Sequence, residues 1–559
     1  MSFALRLSAI TFSGGQTVAP PAIGTVLIVG PNNSGKSRAL REILSNLRVG
    51  EPHGEKVVTK VQEVRDGSLD QFVDWLGERF RVTDNQVIGA GFNISTTDMP
   101  QLISNEWGRQ NGFHHLALAL VSHLDTASRL SSADPTSSYD GVSGHPTEPL
   151  QILYAELQAE ERLSRAFSEA FDDDLVVDRH AGNQIALRSG RRPDPAKFGG
   201  HLHLSYAAEV RRLPLLHQQG DGMRSFTACL LQTEILQRPI ALIDEPEAFL
   251  HPPQARQLAF HLAQAAKEQK RQVVIATHSA DIVQGALESG SDVAVVRLER
   301  AGAANNASQL SPENIGALWK DPLLRVSNIL DGLFHRVVVL CEADTDCRFY
   351  RSILEIVCRV DQKRMPEVLF THTGGKDRLA LAARALRAVS VPVVVVADLD
   401  VLADKYPLHD IWVGLGHHWT EIESDWKVIK AAVDATTRSP STMFVKEEIL
   451  KVFADTTSTV LDTNAAERIR VVTRADGGWR AVKRAGIEAI PKGEPRAACE
   501  RLISALKKGG LQVVPVGELE GFIPSVGQHG PKWLDQALKT DLEGAQLALD
   551  FVRGFGIDS

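Results

Sequence analysis

Between residues 25 and 44 the chain reads as an apolar strand, a glycine loop and a helix in immediate succession. The strand is Thr25-Val26-Leu27-Ile28-Val29, with no polar interruption after the threonine. The loop is Gly30-Pro31-Asn32-Asn33-Ser34-Gly35-Lys36-Ser37, and Arg38 to Leu44 follow with helical apolar spacing. This order restricts the fold to an α/β sheet in which a helix N-terminus faces the strand tip. Gly30 and Gly35 let the backbone turn its N–H groups inward, so the loop 30–37 is a cradle for phosphate. In that setting Asn32, Asn33 and Ser34 lend backbone donors, Lys36 reaches the β/γ-phosphates, and the Ser37 hydroxyl ligates Mg²⁺.

Three later segments extend this site. Residues 219–225 read Gln-Gly-Asp-Gly-Met-Arg-Ser, a small glycine-bearing turn ahead of the helical run Phe226 to Leu236. Residues 239–252 deliver an apolar strand into Asp244-Glu245-Pro246-Glu247, placing carboxylates where open α/β sheets bind ligands. Asp244 suits the Mg²⁺ shell, and Glu245 suits orienting or deprotonating the attacking water. The strand Val273 to Ala276 then ends in Thr277-His278-Ser279, where a histidine can reach a terminal phosphate or hold the water.

Taken in this order, the segments resemble the ABC-type ATPases, in the branch shared with DNA-repair and defence proteins rather than transporters. The resemblance implies ATP sandwiched between two head domains, with Gly222 and Ser225 making contacts in trans. The turn Gly220-Asp221-Gly222-Met223-Arg224-Ser225 departs from the transporter signature Leu-Ser-Gly-Gly-Gln, and no glutamine loop is assigned.

A second chemistry lies downstream. Arg336 to Cys341 is a buried strand ending in Glu342-Ala343-Asp344-Thr345-Asp346, followed by a helix to about Cys358. Val368 to Thr371 leads to Gly374-Gly375-Lys376 and another helix, and Val393 to Val396 ends in Ala397-Asp398-Leu399-Asp400. This β-α-β-α-β order predicts a small parallel sheet with acids at its strand ends. Carboxylates gathered at strand tips repel unless cations lie between them, and hard oxygen ligands suit Mg²⁺ or Mn²⁺. Two such ions about 4 Å apart stabilise the attacking and leaving oxygens of phosphodiester cleavage.

The pattern resembles the Toprim domain of topoisomerases, primases and a set of nucleases. Glu342, Asp346, Asp398 and Asp400 match its acidic positions, with Ala343 in place of the usual glycine and Asp344 as an extra acid. After the strand Leu511 to Val516, Glu518 and Glu520 resemble the late acidic motif and stand as second-tier ligands. The resemblance also implies a lysine that stabilises the departing phosphate charge. Lys532 is taken for this role, ahead of Lys376, Lys492 and Lys539.

An ABC-type head followed by a Toprim domain resembles the OLD (overcoming lysogenization defect) family of ATP-dependent endonucleases, among which the Gabija nuclease subunit belongs. The expected architecture is an ATPase domain at 1–325 with a helical insertion at about 50–205, and a Toprim domain at 331–559 with a helical insertion at about 402–508. The resemblance implies ATP and Mg²⁺ as cofactors, Mn²⁺ as an alternative at the Toprim acids, and DNA as substrate. It further implies a homo-oligomer assembled through the heads, a defence partner such as a helicase, and a role against phage. A rival reading is an ATP-driven clamp or sensor whose Toprim domain binds DNA or a partner without cutting. The complete acidic set argues against it. A topoisomerase is disfavoured because the five tyrosines stand in no recognisable breakage domain.

Composition narrows the remainder. With 559 residues the chain has room for two to four domains. A net charge of −8 makes any nucleic-acid surface a local patch rather than the whole body. The five cysteines show no zinc spacing and read as free thiols of a reducing cytoplasm. No apolar run approaches the roughly 20 residues of a membrane span, and no signal-like segment opens the chain.

Residues 3–12 read as an edge strand, and helices are expected near 57–82, 101–123 and 148–172, the last two separated by a polar loop at 131–148. His114, His115 and His123 fall on one of these helices without a carboxylate or cysteine at ligand spacing, which gives them packing or surface roles. The basic run Arg188-Ser189-Gly190-Arg191-Arg192 reads first as a solvated turn and second as a phosphate contact. Residues 301–315 read as a loop or linker.

Overall fold

The computed structural model describes residues 3–50, 56–89, 91–138, 145–310, 329–388, 390–436, 442–455, 465–466, 468–470, 477–527 and 530–557. The chain divides into two compact units, Met1–Ile315 and Gly316–Ser559. Residues 325–328 of the boundary expected at 325–331, part of the 131–148 loop and parts of the 402–508 insertion lie outside the described residues.

The strands of the first unit are β1 (Ala4–Phe12), β2 (Gly24–Val29), β3 (Val58–Asp66), β4 (Val121–Leu124), β5 (Ile240–Asp244), β6 (Gln272–Ala276), β7 (Val293–Ala301) and β8 (Ala304–Gln309). Its main helices are α1 (Lys36–Val49), α2 (Met99–Trp107), α3 (Asp221–Leu230), α4 (Pro252–Glu268) and α5 (Ala280–Glu288). A six-stranded sheet runs β8-β7-β2-β6-β5-β4. It is parallel from β7 to β4, and only β8 pairs antiparallel. Every residue of β2 and β6 is buried, as strands covered on both faces must be. Helix α1 buries Ala39, Leu40, Ile43 and Leu47, one face at helical spacing, and stops at Gly50, whose φ is 84°.

Five expectations change in this unit. Strand β1 is not an edge strand of the main sheet. It is the centre of a separate three-stranded antiparallel sheet, between Thr17–Val18 and β3. Residues 57–82 are a strand, a helix (Leu69–Arg79) and a short strand rather than one helical segment. Val58, Val61 and Val64 mimic helical spacing, but pairing with β1 from Ala4 to Phe12 decides the outcome.

Residues 101–123 split likewise into α2, a turn of helix at Ala117–Leu120, and β4. His123 therefore sits on an edge strand opposite Leu242. The segment 301–309 is no linker, because β7 turns at Gly302 (φ 63°) into β8 and completes the main sheet. Residues 311–315 lie outside the described residues. The helical expectation for 148–172 is met by Pro149–Ala155 and Leu157–Phe171.

The basic run at 188–192 is turned largely inward. Arg188 Nε donates to Asp178 Oδ2 at 2.7 Å and Arg192 pairs with Glu160 at 3.1 Å. Both cations hold the β-hairpin Asp174–Asp178 and Gln184–Gly190, and neither is offered to phosphate.

In the second unit β9 (Val337–Cys341), α6 (Asp344–Val360), β10 (Val368–His372), α7 (Leu379–Ala388) and β11 (Val393–Ala397) follow the expected alternation. The sheet closes with β12 (Leu511–Val513) in the order β10-β9-β11-β12, parallel throughout. Between β11 and β12 lie helices including Lys405–Gly414, Glu423–Ala435, α8 (Gly478–Ala485) and α9 (Glu494–Lys508). Phe349, Tyr350, Phe522 and Trp533 form the aromatic centre of one core. All five cysteines are buried and free. Among the described residues no helix is long and apolar enough to cross a membrane.

Candidate functional sites

The loop 30–37 closes because glycine stands at its two tightest points. Gly30 has φ 145° and Gly35 φ 91°. A Cβ on Gly30 would come 2.2 Å from the Leu298 carbonyl oxygen, and one on Gly35 2.9 Å from Val57. Lys36 Nζ donates to the carbonyls of Gly30 at 2.9 Å and Pro31 at 3.0 Å, curling its ammonium into the loop. The cavity over the loop has a volume of about 630 Å³ and is walled by residues 32–38 together with Arg41, Glu245, Arg300 and Asn305. That size accommodates a nucleotide.

Parallel pairing of β5 with β6, and of β6 with β2, brings the acids to the same sheet edge as the loop. Asp244 accepts a hydrogen bond from the Ser37 hydroxyl. Burial raises its carboxyl, the Ser37 bond opposes this, and the charge of Glu245 adds to the rise. Asp244 Oδ1 is buried without a partner. An orphaned carboxylate oxygen beside a serine hydroxyl fits the ligand set of a Mg²⁺ ion carried in with nucleotide.

Glu245 lies at φ 47°, a left-handed conformation that a side-chain-bearing residue adopts at a cost. Its N–H donates to Ala276 O at 2.8 Å. His278 Nδ1 lies 3.4 Å from Glu245 Oε1 and 3.2 Å from Glu247 Oε1. The structure thus brings Lys36, Ser37, Asp244, Glu245 and His278 to one edge.

Sequence reasoning missed three residues here. Arg129 is fully buried, and its Nη1 donates to the carbonyl oxygens of Glu245 at 2.8 Å and Asp244 at 3.3 Å. Glu247 Oε1 accepts from Thr277 Oγ1 at 2.7 Å and from the His278 N–H at 2.8 Å, which fixes the histidine turn. Asn305 Nδ2 donates to Ser34 O at 2.6 Å, tying β8 to the loop. The second glutamate of Asp244-Glu245-Pro246-Glu247 was a visible signal. Arg129 and Asn305 had none, since each arrives from a segment remote in sequence.

The turn at 219–225 stands differently from its expected role. Gly222 is half-buried at the start of α3, and a Cβ there would come 2.7 Å from Phe249 O. Ser225 is fully buried and its hydroxyl faces Ala248 O at 3.4 Å. In this arrangement Ser225 packs beneath the turn. It lies one turn into α3 and opens a run, Ser225 to Leu230, in which every residue is buried.

In the second unit Glu342 follows β9 and Asp398 follows the adjacent β11, with Asp400 two residues on. The Asp398 N–H donates to Glu342 Oε1 at 3.3 Å. One carboxylate oxygen each from Glu342, Asp398 and Asp400 lie within 4.8 Å of one another. Burial raises the Glu342 carboxyl, against the hydrogen bond from Asp398. Burial likewise pushes Asp398 up to about 8, with the Glu342 charge adding and Lys483 opposing. Three acids crowded in this way match the oxygen donor set of a divalent ion.

Asp346 is placed beside them but serves as the cap of α6, accepting the Ala343 N–H at 3.0 Å. Glu520 accepts the Gly530 N–H at 3.0 Å and its charge is felt at Asp346. Glu518 is half-buried just before the turn Leu519–Phe522. Asp344 is exposed and pairs with Arg348 at 2.8 Å.

The lysines stand unequally to these acids. Lys532 is exposed on the helix Pro531–Ala537, and Lys492 and Lys539 are exposed too. The ammonium that reaches the acids is that of Lys483 on α8, 3.3 Å from both Asp398 Oδ2 and Asp400 Oδ2. Burial lowers its affinity for a proton, but Asp398 and Asp400 more than reverse this. Lys376 lies 3.8 Å from Asp400 Oδ1, behind Lys483. Lys483 sits in a helical insertion with no strand register to locate it, so its position was illegible beforehand.

Residues 210–283 match the family described as the AAA ATPase domain, a stretch that spans the turn, the acidic strand and the histidine turn. This supports an ABC-type ATPase head in the first unit. No curated protein matches the chain. Among solved structures, the Smc head bound to the C-terminal winged-helix domain of ScpA is 12% identical and covers 56% of this chain and 100% of its own, with a TM-score of 0.33. An Smc head with an extended coiled coil from Pyrococcus furiosus gives 12%, 57%, 99% and 0.32, and cbiO1 from Clostridium perfringens 13%, 53%, 85% and 0.25. TM-scores this low carry no argument of their own.

Proposed function

We propose that this chain is an ATP-binding, divalent-metal-dependent DNA endonuclease of the OLD type, with an ATPase head governing a Toprim nuclease. Its working form is a homo-oligomer joined through the heads, and its role is defence against phage. The observation that carries the nuclease reading is the cluster of Glu342, Asp398 and Asp400 at adjacent parallel strand ends with Lys483 against it. Those three carboxylates would hold the ions, and bound ions would supply charge stabilisation to the attacking and leaving oxygens of a phosphodiester. Lys483 is placed to meet the charge gathering on the scissile phosphate. In the head, Lys36 and the loop amides bind the triphosphate. Glu245 takes the water's proton, and His278 is positioned by Glu247 beside it.

The experiment is incubation of the purified protein with supercoiled plasmid and Mg²⁺ or Mn²⁺, with and without ATP. Conversion to nicked or linear DNA that requires the metal supports the reading. Intact plasmid under every condition favours the clamp or sensor instead.

A further inference from the structure

A third cluster, in the first unit, belongs to neither site. Glu106 lies in the last turn of α2, and after a short loop come His114 and His115. A carboxylate oxygen of Glu106 and one ring nitrogen of each histidine lie within 4.8 Å of one another. The two imidazoles are T-shaped, with centroids 4.2 Å apart and planes at 81°. Glu106 is 3% exposed, while both histidines face solvent. The missing carboxylate that made these histidines unremarkable in sequence is thus supplied by the fold, from eight and nine residues upstream.

The backbone around the cluster is held largely by groups outside it. Arg65 Nη1 donates to the carbonyls of Glu106 at 3.3 Å, Trp107 at 2.9 Å and Arg109 at 2.9 Å, and its Nη2 to Gly112 at 2.9 Å. The same guanidinium lies 3.9 Å over the Phe113 ring and pairs with Glu63 at 2.8 Å. Glu63 in turn accepts the Gly112 N–H at 2.7 Å, and the His115 N–H donates to Glu106 Oε2 at 3.3 Å. The loop is therefore tied at both ends before any ligand arrives.

We propose that Glu106, His114 and His115 form a transition-metal site that takes Zn²⁺, with one coordination position open to water. Two imidazoles and one carboxylate are the donors of three-ligand zinc sites, and they do not suit Mg²⁺ or Ca²⁺. Bonds of about 2.0–2.1 Å place tetrahedral donors roughly 3.4 Å apart, so the ion draws the donors in by at most about 1.4 Å. Rotation of two exposed imidazoles supplies that movement.

The site has a mechanical consequence. Phe113 N donates to Leu47 O at 2.7 Å, so the loop packs on the C-terminal turn of α1, whose N-terminus is the phosphate loop. At 1.5 Å per residue Leu47 lies roughly 16 Å along α1 from Lys36. An ion in the cluster braces the far end of that helix and takes no part in either reaction.

The test uses the full-length chain, stripped of metal with a chelator and titrated with Co²⁺ and then Zn²⁺. The wild type is expected to bind one Zn²⁺ per chain more than the double variant His114→Ala/His115→Ala. Its Co²⁺ form should show the intense visible bands of a low-coordinate nitrogen site, which oxygen-only sites lack. Glu106→Gln should weaken Zn²⁺ at least tenfold, and Glu342→Ala should leave the Co²⁺ bands intact. Zn²⁺ should raise the thermal unfolding temperature of the wild type and not of the double variant. Equal stoichiometry and equal Co²⁺ spectra in wild type and double variant would overturn the proposal.

Discussion

Arg129 supplies a sharp test of how the head is built, because it holds the Asp244-Glu245 turn through backbone carbonyls, with the Cys229 side chain also beside it. Replacement by methionine keeps the length and removes the guanidinium. Two bonds are lost, at 2.8 Å to Glu245 O and 3.3 Å to Asp244 O. A hydrogen bond from a charged donor is worth about 1.5–3 kcal/mol. The Glu245 backbone that it steadies is left-handed, a conformation costing about 1–3 kcal/mol. Without Arg129 that strain is relieved by rotation of the turn, and Glu245 leaves its station. If about 1.5–3 kcal/mol of positioning is lost, turnover falls roughly 10- to 160-fold. Nucleotide affinity should stay within about twofold, since Lys36, Ser37 and the loop amides are untouched. Steady-state ATP turnover and binding of a fluorescent ATP analogue, measured on the same preparation, separate the two effects. Wild-type turnover in a folded Arg129→Met protein would refute the role assigned to this buried cation.

Further outcomes follow from the same geometry. Lys483→Met should slow plasmid cutting by about 100- to 1,000-fold at saturating metal, as loss of one preorganised charge donor does. Lys532→Met should cut normally, and the reverse ranking of these two lysines would favour Lys532 for the role. Burial raises the Glu234 carboxyl from 4.5 to about 7 despite Arg271 and Arg162 nearby. The native state therefore binds an extra proton between these values, so its stability advantage is complete below pH 4.5 and lost as pH rises through about 7. The change amounts to about 3 kcal/mol. Urea unfolding at pH 5 and pH 8 should show a smaller difference in Glu234→Gln than in the wild type, and an identical difference would place the proton elsewhere.

Legibility in the sequence tracked the distance over which each feature is determined. The phosphate loop, the Asp244 strand and the two acidic strand ends are local patterns, and each lies where its flanking residues imply. Strand β3 was misread because its valines fit a helix, and only its partner β1 settles the matter. The hairpin β7–β8 was taken for a linker because Asn305, Asn306 and Ser308 are polar, yet Asn305 is buried against the loop it supports. Arg129, Lys483 and the Glu106 histidine cluster share one property. Each depends on a contact between segments whose separation no periodicity encodes. The burial of Ser225 was illegible for a different reason, since a turn motif gives residue order but not how deeply the following helix is buried.

The central claim is that one chain carries two separable chemistries, an ATPase head and a metal-dependent nuclease on distinct units. Asp398→Ala tests it most directly, with ATP turnover and cutting of supercoiled plasmid measured side by side in Mg²⁺. The account predicts wild-type ATP turnover and no cutting, because Asp398 follows β11 of the second unit, whereas the loop around Lys36 belongs to the first. Full cutting by the folded variant would contradict it.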